Sequence, residues 1–342
     1  MVRVAINGFG RIGRALMRAA VHEPDVDIVA INDLGSLESL AYLLKYDSVY
    51  RAFPGQVSAG NGELIVGAKH IKVLAEKEPA NLPWKDLNID VVVESTGFFT
   101  EFGKAKAHIT AGAKRVVISA PAKDGADEAG VPVTGVTVLM GVNADKLSGS
   151  AISSNASCTT NAASPLIAIL DAAIGIEKAL LNTTHGYTAS QSLVDGPSKK
   201  DLKEGRGAAQ NIVPTSTGAA IAVTQAYPQL AGKFDGISLR VPVPAGSIAD
   251  VTFIAKRETT AEEVNKILTD AANSPQWQGI FAVTTDPIVS SDIIGSEYGS
   301  VADLGMTRVI GNLVKVLAWY DNEMGYAHTL LRHVKEAGKR LQ

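Results

Sequence analysis

Short apolar runs and amphipathic stretches alternate from the start of the chain. Residues 2–6 form a β-branched run, 11–20 carry apolar residues at helical spacing, and 27–32 form a second run. Residues 37–44 look helical and 64–75 alternate as a hairpin does. Val91-Val92-Val93 reads as a strand that ends in the loop Glu94-Ser95-Thr96-Gly97. A helix over 102–111 and strands over 115–119 and 136–142 continue the rhythm. Strand and helix in that alternation predict an α/β fold, with a mostly parallel, doubly wound sheet covered on both faces.

Beyond about residue 155 the texture changes. Residues 159–173 form an alanine-rich helix candidate, and 182–210 are long, polar and irregular. A loop of that length is usually functional or held by a neighbouring subunit. Strands are expected over 236–243, 249–255 and 313–319. Thr260 and Glu263 stand at capping-box spacing ahead of Val264, Ile267 and Leu268, which share one helical face. A last helix over 323–341 carries Arg332, Lys335, Lys339 and Arg340, cations suited to the negative end of a helix dipole.

Composition narrows the class. With 342 residues, 46% hydrophobic and 20% charged, the chain can bury a large core, and two domains are the natural expectation. The 32 Lys and Arg against 35 Asp and Glu give a formal charge of −3 without any basic block. A dedicated nucleic-acid partner and a membrane surface are therefore not expected. The apolar runs fall far short of the ~20 residues of a membrane helix. Arg3, Asn7, Arg11, Arg14 and Arg18 interrupt the first twenty residues, so no secretory leader is read there. The single cysteine, Cys158, excludes an intrachain disulfide and fits a reducing, cytoplasmic setting.

Two stretches carry chemistry. Gly8-Phe9-Gly10-Arg11-Ile12-Gly13 matches G-x-G-x-x-G between a strand and a helix, with Asp33 twenty residues beyond its last glycine. In a Rossmann-type unit Gly8 permits the turn, Gly10 lets backbone approach a pyrophosphate, and Gly13 lets helix and strand pack closely. Asp33 would accept from a ribose diol and repel a 2′-phosphate, which favours NAD over NADP. The alternative is a plain glycine turn with Asp33 as a cap. Cys158 stands in Ser154-Asn155-Ala156-Ser157-Cys158-Thr159-Thr160-Asn161, where polar residues precede a helical run and a helix N-terminus would favour thiolate. His185 follows 27 residues later. Spacing alone leaves two readings open: a nucleophile with its base, or a buried thiol and an unrelated histidine.

Ordered motifs along the chain resolve this by resemblance. They are N-G-F-G-R-I-G-R at 7–14, I-N-D-L at 31–34, L-L-K-Y-D-S-V at 43–49, E-S-T-G-F-F at 94–99 and S-A-P-A-K at 119–123. M-G-V-N at 140–143, S-N-A-S-C-T-T-N at 154–161, T-S-T-G-A-A at 215–220, R-V-P at 240–242 and W-Y-D-N-E at 319–323 follow. Over essentially its whole length the chain resembles the phosphorylating glyceraldehyde-3-phosphate dehydrogenases. The resemblance implies an NAD-binding domain over 1–157, completed by a helix over 322–342, and a catalytic domain over 158–321 with a mostly antiparallel sheet. It implies a homotetramer, with the 182–210 loop at subunit contacts. The activity implied is the glycolytic and gluconeogenic conversion of glyceraldehyde 3-phosphate, NAD and inorganic phosphate to 1,3-bisphosphoglycerate.

Roles follow by the same resemblance. Cys158 is the implied nucleophile and His185 its base and acid. Thr188, Ser190 and Arg240 are implied for the phosphate carried by the substrate. Ser157, Thr159, Thr217 and Gly218 are implied for inorganic phosphate, with Arg206 adding positive potential. Gly8, Phe9, Gly10, Arg11, Ile12, Gly13, Asn32, Asp33, Thr96 and Ser119 would line the NAD site, with Asn322 on the carboxamide and Tyr326 beside the ring. No metal is implied. The chain departs from many relatives at Ala162, Glu204, Ile221 and Met324, and residues 124–135 look like a longer surface loop. Competing readings are an erythrose-4-phosphate dehydrogenase, which releases its thioester to water, and an NAD-controlled RNA-binding protein.

Overall fold

The computed structural model describes residues 1–198 and 201–341, which divide into two units. Residues 1–138, 144–156 and 330–341 form the first; Leu139–Asn143 and Ser157–Thr329 form the second. The final helix, Met324–Lys339 (α7), is thus shared between them at residue 330.

Among the described residues the first unit is built on a nine-stranded sheet. In chain order its strands are β1 (Val2–Asn7), β2 (Val26–Asn32), β3 (Val57–Gly60), β4 (Glu63–Val66), β5 (Lys69–Leu74), β6 (Val91–Glu94), β7 (Arg115–Ile118), β8 (Val136–Thr137) and β9 (Ile152–Ser154). In space they run β8-β9-β7-β6-β1-β2-β5-β4-β3. Pairings are parallel from β8 to β5 and antiparallel in the β3–β4–β5 edge. Val91, Val92 and Val93 are wholly buried, as central parallel strands require. The chain leaves β1 toward β2 on one side and returns as β6 on the other. That reversal leaves a crevice beyond the carboxyl ends of β1 and β6, where a doubly wound sheet binds its ligand.

The helices α1 (Arg11–Ala20), α2 (Leu37–Lys45) and α3 (Phe102–Thr110) fall where the periodicity placed them. Two expectations need correction. The strand over 136–142 ends at Thr137. Beyond it the chain turns, with the Leu139 amide donating to Asn143 Oδ1 at 2.8 Å and Gly141 at φ +82°. The apolar residues there are a buried turn. Residues 124–135 contain an ordered hairpin, Gly125–Ala126 against Pro132–Val133, seated on α3. A Cβ on Gly103 would stand 2.1 Å from the Ala126 oxygen, so the hairpin and helix meet at backbone distance.

In the second unit the main path of the sheet runs, in chain order, through β10 (Ile176–Gly186), β11 (Val213–Ser216), β12 (Phe234–Val241), β13 (Ser247–Ala255), β14 (Phe281–Thr284), β15 (Ser300–Asp303) and β16 (Leu313–Tyr320). The spatial order is β11-β12-β10-β13-β16-β15-β14, mostly antiparallel. One face packs on α4 (Cys158–Ile174), α5 (Ala219–Ala226) and α6 (Ala261–Ala272). As the capping box predicts, Thr260 Oγ1 accepts from the Glu263 amide at 3.2 Å. The expected loop over 182–210 begins only after Gly186, because its first residues belong to β10. The inward positions there are Thr183 and His185, buried but polar, so hydrophobic alternation could not mark the strand. Positions 199 and 200 of that loop lie outside the described residues.

Candidate active site

Cys158 opens α4. The capping residue is Ser157, whose Oγ accepts from the Thr160 amide at 3.1 Å. The sulfur therefore sits at the positive end of a seventeen-residue helix. His185 lies near the end of β10, and its Nε2 is 3.3 Å from Cys158 Sγ. Arg240 is the register neighbour of His185 on β12. Its Nη1 stands 2.6 Å from His185 Nδ1, and the Gly186 carbonyl oxygen is also 2.6 Å from that nitrogen. A protonated Nδ1 donates to the carbonyl and leaves Nε2 as a base facing sulfur. A bare Nδ1 accepts from Arg240 and puts the proton on Nε2.

The electrostatics oppose each other. Burial pushes the Cys158 thiol up, while Arg240 and hydrogen bonds from the Thr159 side chain and amide pull it back. Burial, then Arg240, pushes His185 down to about 3. Enclosure thus works against the thiolate that the helix terminus favours, because desolvation penalises charge on either partner.

Around the pair the expected residues fall into distinct settings. Thr188 Oγ1 and Ser190 Oγ lie 3.0 Å apart. Among the described residues the Arg240 Nε is buried with no hydrogen-bond partner. Thr159 Oγ1 meets the Tyr320 hydroxyl at 2.8 Å. Thr217 accepts from the Ala219 amide at the start of α5, and Gly218 caps that helix with open space where a Cβ would stand. Arg206 is given over to Asp195, with Nε 2.9 Å from Oδ2, which blunts the potential expected of it. Asn322 Oδ1 accepts from Ser247 Oγ at 2.9 Å, and Ser247 accepts from the Gly186 amide at 3.1 Å. Tyr326 is buried in α7.

The first unit holds the dinucleotide fingerprint. Gly8 has φ +94°, and a Cβ there would lie 2.6 Å from the Thr96 nitrogen. A Cβ on Gly13 would lie 2.4 Å from the Gly8 oxygen, whereas one on Gly10 would meet nothing within 4 Å. The three glycines thus do the three things expected: turn, leave an open cradle, and pack closely. Among the described residues no side chain caps α1, so its first amides face the cradle. Asp33 accepts from the Phe9 amide at 2.7 Å and the Gly35 amide at 2.8 Å. A pocket of about 550 Å³ is lined by Gly8, Gly10, Asp33 and Thr96, together with Leu34 and Phe99. These groups fit a dinucleotide.

Several of the expected cofactor contacts are already buried or engaged within the chain. The Phe9 side chain is wholly buried, and the Asn32 amide is spent on Asn7 Oδ1 and the Glu76 carbonyl. The Arg11 Nη1 lies 2.6 Å from Asp47, Ile12 is half-buried on α1, and the Ser119 amide donates to the Glu94 carbonyl. Sequence reasoning missed Glu94, whose Oε1 accepts from both the Thr96 amide and hydroxyl, and the Leu34 and Phe99 walls. It also missed Tyr320 and Thr183. Thr183 is a polar residue at an inward position of β10, and Tyr320 ends β16 one residue beyond the strand expected over 313–319.

Comparison with known proteins gives the family of the chain. Residues 2–102 match the family model of the glyceraldehyde 3-phosphate dehydrogenase NAD binding domain, and 157–322 match that of its C-terminal domain. The chain is 49% identical over 333 residues to glyceraldehyde-3-phosphate dehydrogenase 1 of Streptomyces avermitilis, covering 96% of each chain. It is 49% identical to the glyceraldehyde-3-phosphate dehydrogenase of Mycobacterium avium, over 99% of each chain. To that of Clostridium acetobutylicum it is 46% identical, over 97% of each. With matching models at both sites and such identity from end to end, the chain belongs to the glyceraldehyde-3-phosphate dehydrogenase family.

Proposed function

We propose that this chain oxidises glyceraldehyde 3-phosphate with NAD and captures the product with inorganic phosphate as 1,3-bisphosphoglycerate. The observation that carries the reading is the 3.3 Å contact between Cys158 Sγ and His185 Nε2 at the start of α4, in a chain of this family. His185 takes the thiol proton as Sγ attacks the aldehyde carbon, and returns it to the carbonyl oxygen, giving a hemithioacetal. The helix-terminal amides of α4 and the imidazole stabilise the oxyanion that develops. Bound NAD supplies the acceptor for the hydride. His185 Nε2 removes the hydroxyl proton as the C–H electron pair departs, and a thioester remains on Cys158. A phosphate oxygen then attacks the thioester carbon, the C–S bond breaks, and sulfur leaves with its electron pair.

Thr188, Ser190 and Arg240 hold the substrate's own phosphate in this reading. The buried Arg240 Nε, without a partner among the described residues, supports that assignment. Ser157, Thr159, Thr217 and Gly218 receive the inorganic phosphate, and Asn322 and Tyr326 flank the nicotinamide. Arg206, held by Asp195, contributes little. The test is to mix enzyme, NAD and aldehyde phosphate with phosphate omitted. A three-carbon phosphoacyl adduct on the peptide that contains Cys158 is expected by mass spectrometry, absent from Cys158→Ser. Full activity in Cys158→Ser would overturn the covalent scheme.

A homotetramer is part of the same proposal. The sheet face turned away from α4 exposes Leu180, Ile237 and Leu313. A hollow of about 770 Å³ there is lined by Leu180, Thr252, Ile254 and Leu313, with Ile221 at its edge. An apolar face of this kind on a folded unit suits a second copy of the chain. Among the described residues no helix is long and apolar enough to cross a membrane; a cytoplasmic setting belongs to the proposal.

A further inference from the structure

A buried run of hydrogen bonds lies beside the dinucleotide pocket of the first unit, and one member fixes the direction of the rest. The Trp84 indole can only donate, and its Nε1 stands 3.0 Å from His108 Nδ1. That nitrogen is therefore bare, and the imidazole must carry its proton on Nε2. His108 Nε2 lies 3.1 Å from Glu94 Oε2 and donates to it. Asn7 Nδ2 donates to the same oxygen at 2.6 Å, and Asn7 Oδ1 accepts from Asn32 Nδ2 at 2.7 Å. Asn32 also binds the Glu76 backbone twice, to its carbonyl oxygen and from its amide, each at 2.8 Å. On the other side, Glu94 Oε1 accepts from the Thr96 amide and hydroxyl, and Thr96 Oγ1 accepts from the Phe98 amide at 3.1 Å. Trp84, His108, Glu94, Asn7 and Asn32 are all buried. Asn7, Asn32, Glu76, Thr96 and Phe98 line the pocket.

We propose that Trp84 and His108 are positioning residues for the dinucleotide: the indole holds the imidazole in one tautomer, whose Nε2–H fixes the Glu94 carboxylate and, through it, the Asn7 and Thr96 walls of the pocket. The inference rests on the first unit binding NAD, not on the chemistry proposed for Cys158. Neither Trp84 nor His108 is among the described residues that line the pocket, so both act through Glu94. The other tautomer would turn a bare nitrogen toward the carboxylate and a second N–H toward the indole, so it is opposed at both ends. The wall it steadies has little slack. A Cβ on Gly8 would stand 2.6 Å from the Thr96 nitrogen, so the Thr96 backbone lies directly against the glycine turn. Phe99, another wall, stands edge-on to His108 with ring centroids 6.3 Å apart. Asp33 lines the same pocket, so the part of NAD received there is its ADP-ribose end.

The test is the dissociation constant of ADP-ribose, read by calorimetry on the whole enzyme, with the thermal midpoint measured alongside. His108→Leu, which removes both ring nitrogens, weakens ADP-ribose by about two- to tenfold, the worth of one hydrogen bond. His108→Gln keeps an acceptor and a donor at that place and recovers part of the affinity. Trp84→Phe frees the imidazole to change tautomer and weakens ADP-ribose in the same range; it reads the same link where His108→Leu does not fold. In Trp84→Phe/His108→Leu the tryptophan change adds nothing to the loss, because Trp84 acts through His108 alone. A merely structural pair would lower the thermal midpoint and leave the affinity of the folded protein at the parent value, and that result overturns the proposal. So does a Trp84→Phe loss that persists in full without His108, or a His108→Gln that binds no better than His108→Leu. The readout needs no turnover, so this proposal and the phosphate-capturing reaction fail separately.

Discussion

His185 has two neighbours for one nitrogen: the Gly186 carbonyl and the Arg240 guanidinium both stand 2.6 Å from Nδ1. Substrate phosphate that draws Arg240 away would leave Nδ1–H on the carbonyl and Nε2 free to take a proton. On this account His185→Asn lowers the rate of the first NADH turnover by about 10²–10⁴-fold, measured by stopped-flow absorbance. Acid sensitivity follows from the same burial. His185 and His333 are both pushed down to about 3 from 6.5. The unfolded chain then binds protons that the folded chain refuses, so stability falls as pH drops through the window from about 6.5 to 3. Each histidine contributes on the order of 1–2 kcal/mol of that loss by pH 5. His333 is held between Ser153 Oγ and Asn155 Oδ1 and shares no hydrogen bond with Cys158 or His185 among the described residues. His333→Gln is therefore expected to flatten the slope of unfolding free energy against pH between 6.5 and 5, measured by urea titration.

At the scale of elements, α1 and its glycine loop separate binding from folding. A Cβ at Gly10 meets nothing, and the residue's φ of −70° suits any side chain. Gly10→Ala should keep its thermal midpoint while NAD affinity, read by calorimetry, falls at least about tenfold as the cradle fills. Gly13→Ala, forced against the Gly8 carbonyl, should lose about 2 kcal/mol or more of stability as well. Equal destabilisation by the two would contradict the division of roles. The glycine loop was legible in the sequence because the motif specifies backbone conformation directly. Helices α1, α4 and α6 were legible because apolar spacing and caps are local. Strand β10 was not, since it turns Thr183 and His185 inward. Nor was the link from Thr159 to Tyr320, which joins residues 161 positions apart in sequence through a hydroxyl contact. Cys158 and His185 were candidates from the sequence, but only the register of β10 beside α4 brings them together.

For the whole molecule, the exposed apolar face of the second unit bears on the proposed homotetramer. Leu180→Asp, placing a charge on that apolar surface, should lower the mass seen by sedimentation velocity from tetramer toward smaller species. An unchanged mass would remove that face from the interface. The central claim is that the thioester formed on Cys158 is resolved by phosphate. The most direct measurement is the steady rate of NADH formation from glyceraldehyde 3-phosphate and NAD, with inorganic phosphate present or omitted. The account predicts saturable dependence on phosphate, with a single burst of about one NADH per chain when phosphate is absent. Sustained turnover at the same rate without phosphate would contradict it.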